Sequence, residues 1–266
     1  MDGIFCGATA RAGRDGPGNR RVAKGRGRYG FRCCLALVAW LVAADATPAA
    51  TIQFGGYAWK VRSGHGGPGP NAWAEENVWV DAQGFLHLRI RVRDGKWSCA
   101  EVTMQERLGF GRYTFQVEGP IDRFDDHVVL GLFNYPTPDV GGDATHEIDI
   151  EFARWGRAAN PIGNYTVWPV EKALRQTSKS FAFTQSGTGS THRFDWSSAR
   201  VAYRSWQGFG ENGTEIARWD YAPAEAAARI ARKPMPVHLN LWLFQGKPPK
   251  DGNEVEVVIR SFAGPR

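Results

Sequence analysis

Cysteine is scarce in this 266-residue chain, and most of it lies at one end. Of the four cysteines, Cys6, Cys33 and Cys34 fall within the first 46 residues, which leaves Cys99 alone in the remainder. A single cysteine can form neither an internal disulfide nor a cysteine-based zinc cluster, so disulfide-stapled and zinc-finger folds are excluded there. The remaining residues, about 220, are enough to bury a hydrophobic core without cross-links.

An excess of charge of one sign is also missing from most of the chain. The whole sequence has 33 Lys and Arg against 27 Asp and Glu, a net charge of +6. Residues 1–46 hold eight of the basic and three of the acidic residues, so the rest carries 25 and 24, a net charge of +1. A nearly neutral body lacks the basic surface that polyphosphate binding needs. We therefore expect no nucleic-acid partner.

No apolar run is long enough to span a bilayer as a helix, which takes about 20 residues. The run "CCLALVAWLVA", which begins at Cys33, follows a basic stretch that ends at Arg32 and precedes an A-x-A pattern that ends at Ala46. This order predicts a signal peptide over residues 1–46, and a secreted or periplasmic domain of residues 47–266 with no membrane contact after cleavage. The alternative is an apolar N-terminal helix of the folded domain.

Internal repeats and coiled-coil heptads are absent, and helical periodicity is rare. Segments such as "FLHLRIRV", "HVVLGLFNY" and "VHLNLWLF" alternate in polarity, are rich in β-branched and aromatic residues, and are separated by turn signals such as "RDGK". Many short strands predict an all-β domain, a sandwich or a barrel. Only Ala222–Lys233 favours a helix, a short one near residues 223–232 that Pro234 would end.

The stretch "HEIDIEF" places three acids at alternate positions with apolar residues between them. In a strand, successive side chains point to opposite faces, so the acids share one face and the apolar residues share the other. The acids are Glu147, Asp149 and Glu151, and the apolar residues are Ile148, Ile150 and Phe152. Acids are depleted in strands, and like charges on one face raise one another's pKa, so stability alone does not explain the arrangement.

Several interpretations of this triplet are open from the residues alone. It could be the solvated face of an amphipathic strand, or a set of oxygen ligands for calcium. The zinc motif HExxH is excluded because Ile150 stands where its second histidine would be. Glycoside hydrolysis needs two carboxyl groups of unlike pKa beside the cleaved bond, and a third acid can separate their pKa values. A retaining enzyme needs carboxyls about 5 Å apart, so Glu147 and Glu151, about 13 Å apart at Cα in a strand, must lean together on a concave face.

The segment Glu147–Glu151 matches the motif E-[ILV]-D-x-E, and on this motif the chain resembles glycoside hydrolase family 16, retaining β-glucanases with a concanavalin A-like jelly roll. Four further stretches resemble strands of the family, in the family's order, across residues 51–262: "SCAEVTMQERLGFGRYTFQVEG", "HVVLGLFNY", "THRFDWSSARVAYRSW" and "PVHLNLWLF". The resemblance implies that Glu147 is the nucleophile, Asp149 the assisting residue and Glu151 the general acid/base.

The chain departs from the lichenases of that family at three positions. Thr145 stands where they have a tryptophan, Thr103 where they have an arginine, and Cys99 lacks the partner of their disulfide. The resemblance therefore implies the catalytic residues but not the lichenase substrate.

Sugar rings bind by stacking on aromatic side chains and by hydrogen bonds, and ten of the 11 tryptophans lie beyond residue 46. Strand alternation and the order of strands in the family give seven candidates for substrate binding: Trp168, Thr166, Trp242, Asn240, Glu101, Tyr135 and Trp97. Weaker candidates are Trp155, Trp206, His65 and Asn71. We expect Trp59, Trp73 and Trp79 to be structural and His146 to be a buried, hydrogen-bonded residue on the core side.

Together these features predict a secreted, retaining, endo-acting glycosidase that cleaves a β-linked polysaccharide, with β-glucan as the favoured substrate. It would be a monomer that needs no cofactor, although members of the family often carry a structural calcium ion. The alternatives are a transglycosylase on the same site, a non-catalytic carbohydrate-binding jelly roll, and a calcium-dependent structural protein.

Overall fold

The computed structural model describes residues 49–265. The signal peptide expected over residues 1–46 lies outside this range and stays a prediction. Within it, no helix has the length and apolar character needed to cross a membrane.

The described chain is built almost entirely from short strands. The strands are β1 Thr51–Phe54, β2 Tyr57–Val61, β3 Gly64–Gly66, β4 Asn71–Trp73, β5 Val78–Val80, β6 Leu86–Arg93, β7 Lys96–Ser98, β8 Ala100–Met104, β9 Gly111–Glu118, β10 Val128–Asn134, β11 Ile148–Ala153, β12 Gly163–Val167, β13 Thr177–Phe181, β14 Gly189–Trp196, β15 Val201–Gln207, β16 Glu215–Tyr221, β17 Val237–Leu243 and β18 Val255–Ala263. Three single-turn 3-10 helices, Glu75–Asn77, Ile121–Arg123 and Phe244–Gly246, and one short α-helix, α1 Ala226–Arg229, complete it.

Two large antiparallel sheets form the sandwich. The first has the order β1-β2-β8-β17-β10-β11-β12-β13, and the second has the order β16-β15-β14-β9-β18-β6-β5, with β7 added against β6. Strands distant in sequence are neighbours in both sheets, as in a jelly roll, whereas β3 and β4 form a separate hairpin. The predicted all-β sandwich is confirmed.

The core lies between the two sheets and follows from the alternation of the strands. On β11, Ile148, Ile150 and Phe152 are fully buried, as the sequence predicts. On β17, the leucines at 239, 241 and 243 are buried in the same layer. Because these residues take the inner face, the polar residues between them must lie on the outer face of the first sheet.

The predicted helix is present but covers only four residues, Ala226–Arg229. Its sequence is rich in alanine, which favours helix, but Ile230 and Ala231 are buried in the core and Ile230 is extended. Burial of these two apolar residues ends the helix before the position that propensity alone would choose.

Cys99 behaves as a small apolar residue of the core. It is 1% exposed, and its thiol donates a hydrogen bond to Asn71 Oδ1 at 3.4 Å. Burial raises the pKa of the thiol to about 12, so it is not a reactive thiolate.

Candidate active site

The outer face of the first sheet carries the acidic triplet at its centre. β11 lies between β10 and β12, so Glu151 pairs with Gly131 on one side and Asn164 on the other. In the next row, Asp149 pairs with Phe133 and Thr166. Glu147 precedes the strand, and its carbonyl accepts a hydrogen bond from the backbone N–H of Trp168 at 2.8 Å. The three acids thus line up along one strand with a row of neighbours on either side.

The triplet is largely removed from solvent. Within the described residues, no basic side chain forms a hydrogen bond with any of the three acids. Asp149 is 2% exposed, and Glu147 and Glu151 are half-buried. Asp149 Oδ2 accepts a hydrogen bond from the indole N–H of Trp168 at 3.0 Å. Among residues 49–265, no donor reaches Asp149 Oδ1. That oxygen is therefore the natural place for a proton.

Burial raises the pKa of all three carboxyl groups, to about 8 for Glu147, to about 7 for Glu151 and well above the ordinary value for Asp149. Repulsion between the charges adds to the rise at Glu147 and Asp149. The hydrogen bond between Glu147 and Asp149 lowers the pKa of the first and raises that of the second, so Asp149 holds the shared proton. Glu147 and Glu151 then keep about one proton between them near pH 7.5.

A fourth buried acid on the same face has opposite surroundings. Glu101 on β8 is 6% exposed, and its Oε2 accepts a hydrogen bond from Arg62 at 2.8 Å. Its Oε1 lies 3.3 Å from Nδ1 of His238. Burial alone would raise the pKa of Glu101, but the hydrogen bonds and charges of His238 and Arg62 outweigh it and hold the pKa below its ordinary value. Glu101 is therefore an ionised carboxylate with both oxygens in contact with protein donors.

An aromatic group connects Glu101 to the triplet. The ring of His238 stacks on Phe133 with centroids 5.2 Å apart, and Tyr135 meets His238 edge-on at 5.7 Å. The hydroxyl of Tyr135 donates to Asp143 at 2.7 Å, and burial raises its pKa further above neutrality. These three rings give the face an apolar surface of the kind on which sugar rings stack.

Asn240 and Gly131 form a notch between Glu101 and Glu151. Asn240 pairs with Glu101 on one side and with Gly131 on the other, and it is 3% exposed. Its Oδ1 receives no hydrogen bond from the described part of the chain. A Cβ at position 131 would lie 2.5 Å from this oxygen, so only glycine keeps the notch open. An unpartnered buried oxygen is costly, and a ligand hydroxyl would satisfy it.

On the other side of the triplet the face is polar and uncharged. Thr166 bonds to the hydroxyl of Ser178 at 3.0 Å, and Asn164 accepts a hydrogen bond from Ser180 at 2.8 Å. Of the seven substrate-binding candidates, the structure thus brings Trp168, Thr166, Asn240, Glu101 and Tyr135 around the acids.

The other two predicted candidates lie elsewhere or are covered. Trp242 is on the correct face, but it is 5% exposed and packs against Trp155 and Phe244. Trp97 is on β7, which pairs with β6 of the second sheet, and its ring packs on the core. The structure does not bring Trp97 to the acids, because the β6–β7 hairpin belongs to the opposite layer.

Three of the four weaker candidates lie on strands that do not pair with β11. Trp206 lies on β15 of the second sheet, with Arg193 over its ring at 5.1 Å. His65 and Asn71 lie on the β3–β4 hairpin, and the amide of Asn71 donates to the carbonyls of Pro68 and Leu243. The tryptophans expected to be structural include Trp59 and Trp73, which are 0% and 3% exposed, and Trp79, which stacks on His87.

The expected hydrogen bond of His146 is present, but its expected burial is wrong, because the regular strand begins two residues later, at Ile148. His146 is half-buried, has a φ of 60° and contacts the hydroxyl of Thr145 at 2.9 Å. Ala144, Trp155 and Gln245 also have positive φ, so four such non-glycine residues follow or precede the strands that carry the acids and Trp242. Strain of this kind is concentrated at functional sites.

Three residues of this face were missed from the sequence. His238 alternates with Asn240 and Trp242, so strand alternation could have placed it there. Phe133 was likewise available from the alternation of β10. Arg62 follows the end of β2, and its contact with Glu101, 39 residues away, depends on strand pairing that local patterns do not show.

Among residues 49–265, no group of three or more His, Cys, Asp or Glu side chains is placed to hold a metal ion. In the described structure, Glu147, Asp149 and Glu151 are therefore not arranged as a set of metal ligands. A structural calcium ion stays a prediction that unfolding with and without a chelator would test.

The fold is shared with solved glucanases. A β-glucanase of Bacillus licheniformis superposes with a TM-score of 0.59 at 18% identity, over 82% of this chain and 96% of its own. A prokaryotic β-1,3-1,4-glucanase (lichenase) from a mouse hindgut metagenome gives 0.52 at 22% identity, over 76% and 90%. A glycoside hydrolase family 16 endo-glucanase from Bacteroides ovatus, in complex with G4G3G-2F-DNP, gives 0.57 at 14% identity, over 77% and 94%.

At these identities the likeness shows the fold alone, and it confirms the predicted jelly roll of the family 16 type. No protein-family model and no curated protein matches the sequence.

Proposed function

We propose that this chain is a secreted, retaining, endo-acting glycoside hydrolase that cleaves a β-linked polysaccharide, a β-glucan. The observation that carries the proposal is the buried triplet Glu147, Asp149 and Glu151, whose pKa values are raised and which no cation neutralises. Glycoside hydrolysis by double displacement needs two such carboxyls in different protonation states. The fold of known glucanases and a polar, aromatic face around the acids support it.

Each acid has a role in the proposed reaction. Glu147 attacks the anomeric carbon while Glu151 gives its proton to the leaving oxygen, and Glu151 then takes a proton from the water that releases the sugar. The higher pKa of the pair, about 8, belongs to Glu147, so the reaction proceeds from the arrangement in which the shared proton has passed to Glu151. The hydrogen bond from protonated Asp149 lowers the pKa of Glu147 and so favours this arrangement. The indole of Trp168 holds Asp149 in place through its other oxygen.

Export and substrate class rest on separate arguments. The A-x-A pattern that ends at Ala46 supports removal of residues 1–46 and a mature chain that begins at Thr47. N-terminal sequencing of the exported protein would test this. Among the structural neighbours, two from Bacteroides ovatus hold G4G3G-2F-DNP and G4G4G3G, which supports a glucan as the first substrate to test.

The decisive experiment is the variant Glu147→Gln assayed on a panel of β-glucans, with products identified by size, linkage and anomeric configuration. We expect the wild type to release oligosaccharides with retained configuration, and the variant to lose at least about a thousandfold in rate while staying folded. The control is Glu118→Gln, an acid on the second sheet that is paired with Arg260. If the wild type bound glucans without cleaving them, a carbohydrate-binding module would be favoured instead. An unchanged rate in Glu147→Gln would contradict the assignment of Glu147 as the nucleophile.

A further inference from the structure

We propose that His238 is a specificity-determining residue that binds a sugar ring two positions from the cleaved linkage, and that Glu101 holds it in place. The proposal rests on the proposed function, because it needs a sugar chain that crosses the sheet over the triplet. It starts from the row of side chains in which His238, Phe133 and Asp149 pair in register across three strands.

Distance places His238 away from the chemistry but within reach of the same ligand. Neighbouring strands lie about 4.8 Å apart, so His238 on β17 is roughly 10 Å from Asp149 on β11. This is about the span of two sugar rings. Phe133 and Tyr135 lie along this path and offer their rings to the chain between the two points.

The contacts of Glu101 tie it to two basic side chains. Each of its carboxylate oxygens has a protein donor, Arg62 at 2.8 Å and His238 at 3.3 Å. The guanidinium of Arg62 itself lies over the ring of Trp73, 4.2 Å from the centroid. Glu101 therefore fixes the two basic side chains, and these are the groups that remain for a ligand.

The same contact fixes the tautomer of His238. An ionised carboxylate only accepts hydrogen bonds, so Nδ1, which also lies 3.2 Å from the hydroxyl of Thr103, carries the proton. With the Nδ1 proton directed at Glu101, Nε2 is the ring nitrogen that remains for a ligand. It is the ring nitrogen farther from the backbone, it has no hydrogen-bond partner in the described chain, and the side chain is 14% exposed. It is placed to accept a hydrogen bond from a sugar hydroxyl.

Two substitutions separate binding from support. In His238→Asn, the amide can replace Nδ1 and keep the contact with Glu101, but nothing replaces Nε2. In His238→Gln, the longer amide can replace Nε2 but leaves Glu101 with Arg62 alone. A control is His87→Asn on the second sheet, a histidine whose two ring nitrogens both contact acids, Asp81 and Glu256.

The measurement is KM and kcat on glucan oligosaccharides of increasing length, with thermal unfolding of each variant. We expect His238→Asn to raise KM about three- to tenfold on substrates long enough to reach the residue, with kcat and Tm almost unchanged. On shorter substrates, which cannot reach His238, we expect KM to stay at the wild-type value. His238→Gln should keep the wild-type KM better and lose more stability.

The opposite pattern, in which His238→Asn keeps the wild-type KM at every length, would overturn the proposal and leave His238 a purely structural partner of Glu101. An equal rise of KM for short and long substrates would also overturn it. Failure of the proposed function itself looks different, since the wild type would then cleave no substrate of any length.

Discussion

Two carboxylate sites lie on the same face of the same sheet and differ in whether basic side chains of the described residues contact them. Glu101 is paired with Arg62 and His238, and its pKa is lowered although it is 6% exposed. Glu147, Asp149 and Glu151 have no cation in contact, and their pKa values are raised. Contact with basic side chains therefore gives an ionised anchor at one place, and burial without such contact gives a reservoir of protons at the other. The paired acid supports the shape of the face, and the unpaired acids supply proton chemistry.

The largest effect expected from this difference is on the dependence of activity on pH. The proposed reaction needs one charged and one protonated glutamate, and the pKa values of about 7 and about 8 leave about one proton on the pair between those values. We expect kcat to follow a bell-shaped curve with its maximum near pH 7–8 and to fall about tenfold per unit well above pH 8. A rate that stays constant up to pH 10 would contradict a catalytic proton on either glutamate.

The same raised pKa values predict that the triplet destabilises the fold at neutral and alkaline pH. The folded-state pKa of Glu151 lies near 7, above the ordinary 4.5, so the folded state binds a proton that the unfolded state has lost. Wild-type stability therefore falls as pH rises from about 4.5 through about 7. We expect Glu151→Gln to be more stable than the wild type by about 3 kcal/mol at pH 8 and by almost nothing at pH 4. Urea unfolding at the two pH values measures this, and a variant less stable at pH 8 would argue against the raised pKa.

The matched substitution at the paired site should have the opposite sign. Glu101→Gln removes the charge that holds Arg62 and His238, so we expect a loss of about 2 kcal/mol at pH 8, moderated because Arg62 is partly exposed. The folded-state pKa of Glu101 is lowered, so its contribution is present above its ordinary pKa and is lost as pH falls through the folded value. The same unfolding series tests both sites. If both variants shifted stability in one direction, the contrast between the two sites would be wrong.

Of the two sites, only the acidic triplet could be predicted from the sequence. The alternation of "HEIDIEF" predicts the buried Ile148 and Phe152 and the acids on the opposite face, because a strand's side-chain period is local. The surroundings of Glu101 depend on pairing between β2, β8 and β17, strands that are separated by up to about 180 residues. No local pattern encodes that Arg62 and His238 meet there, so this pair of basic side chains became visible only in the fold.

The sequence also predicted position better than role. Trp168 was expected to stack on sugar, which stays a prediction; the structure adds a second role, because its indole N–H donates to Asp149. Trp97 was expected in the cleft, but its strand joins the second sheet. His146 was expected to continue the alternation, yet the chain adopts a positive φ there before the strand begins. In each case a tertiary contact or a local turn outweighs the period of the strand.

Gly131 is the point where the two sites meet, and it carries the smallest effect we predict. It separates Asn240, the neighbour of Glu101, from Glu151. In Gly131→Ala, the new Cβ would lie 2.5 Å from Asn240 Oδ1 and 3.2 Å from the ring of Phe133, so these side chains must shift. We expect a loss of stability of about 1 kcal/mol and a rise in KM of a few fold, since overpacking displaces groups that line the notch. The control is Gly142→Ala, where a Cβ meets nothing within 4 Å. If Gly131→Ala and Gly142→Ala gave the same kinetics, the notch would have no part in binding, and the two carboxylate sites would act independently of the residue between them.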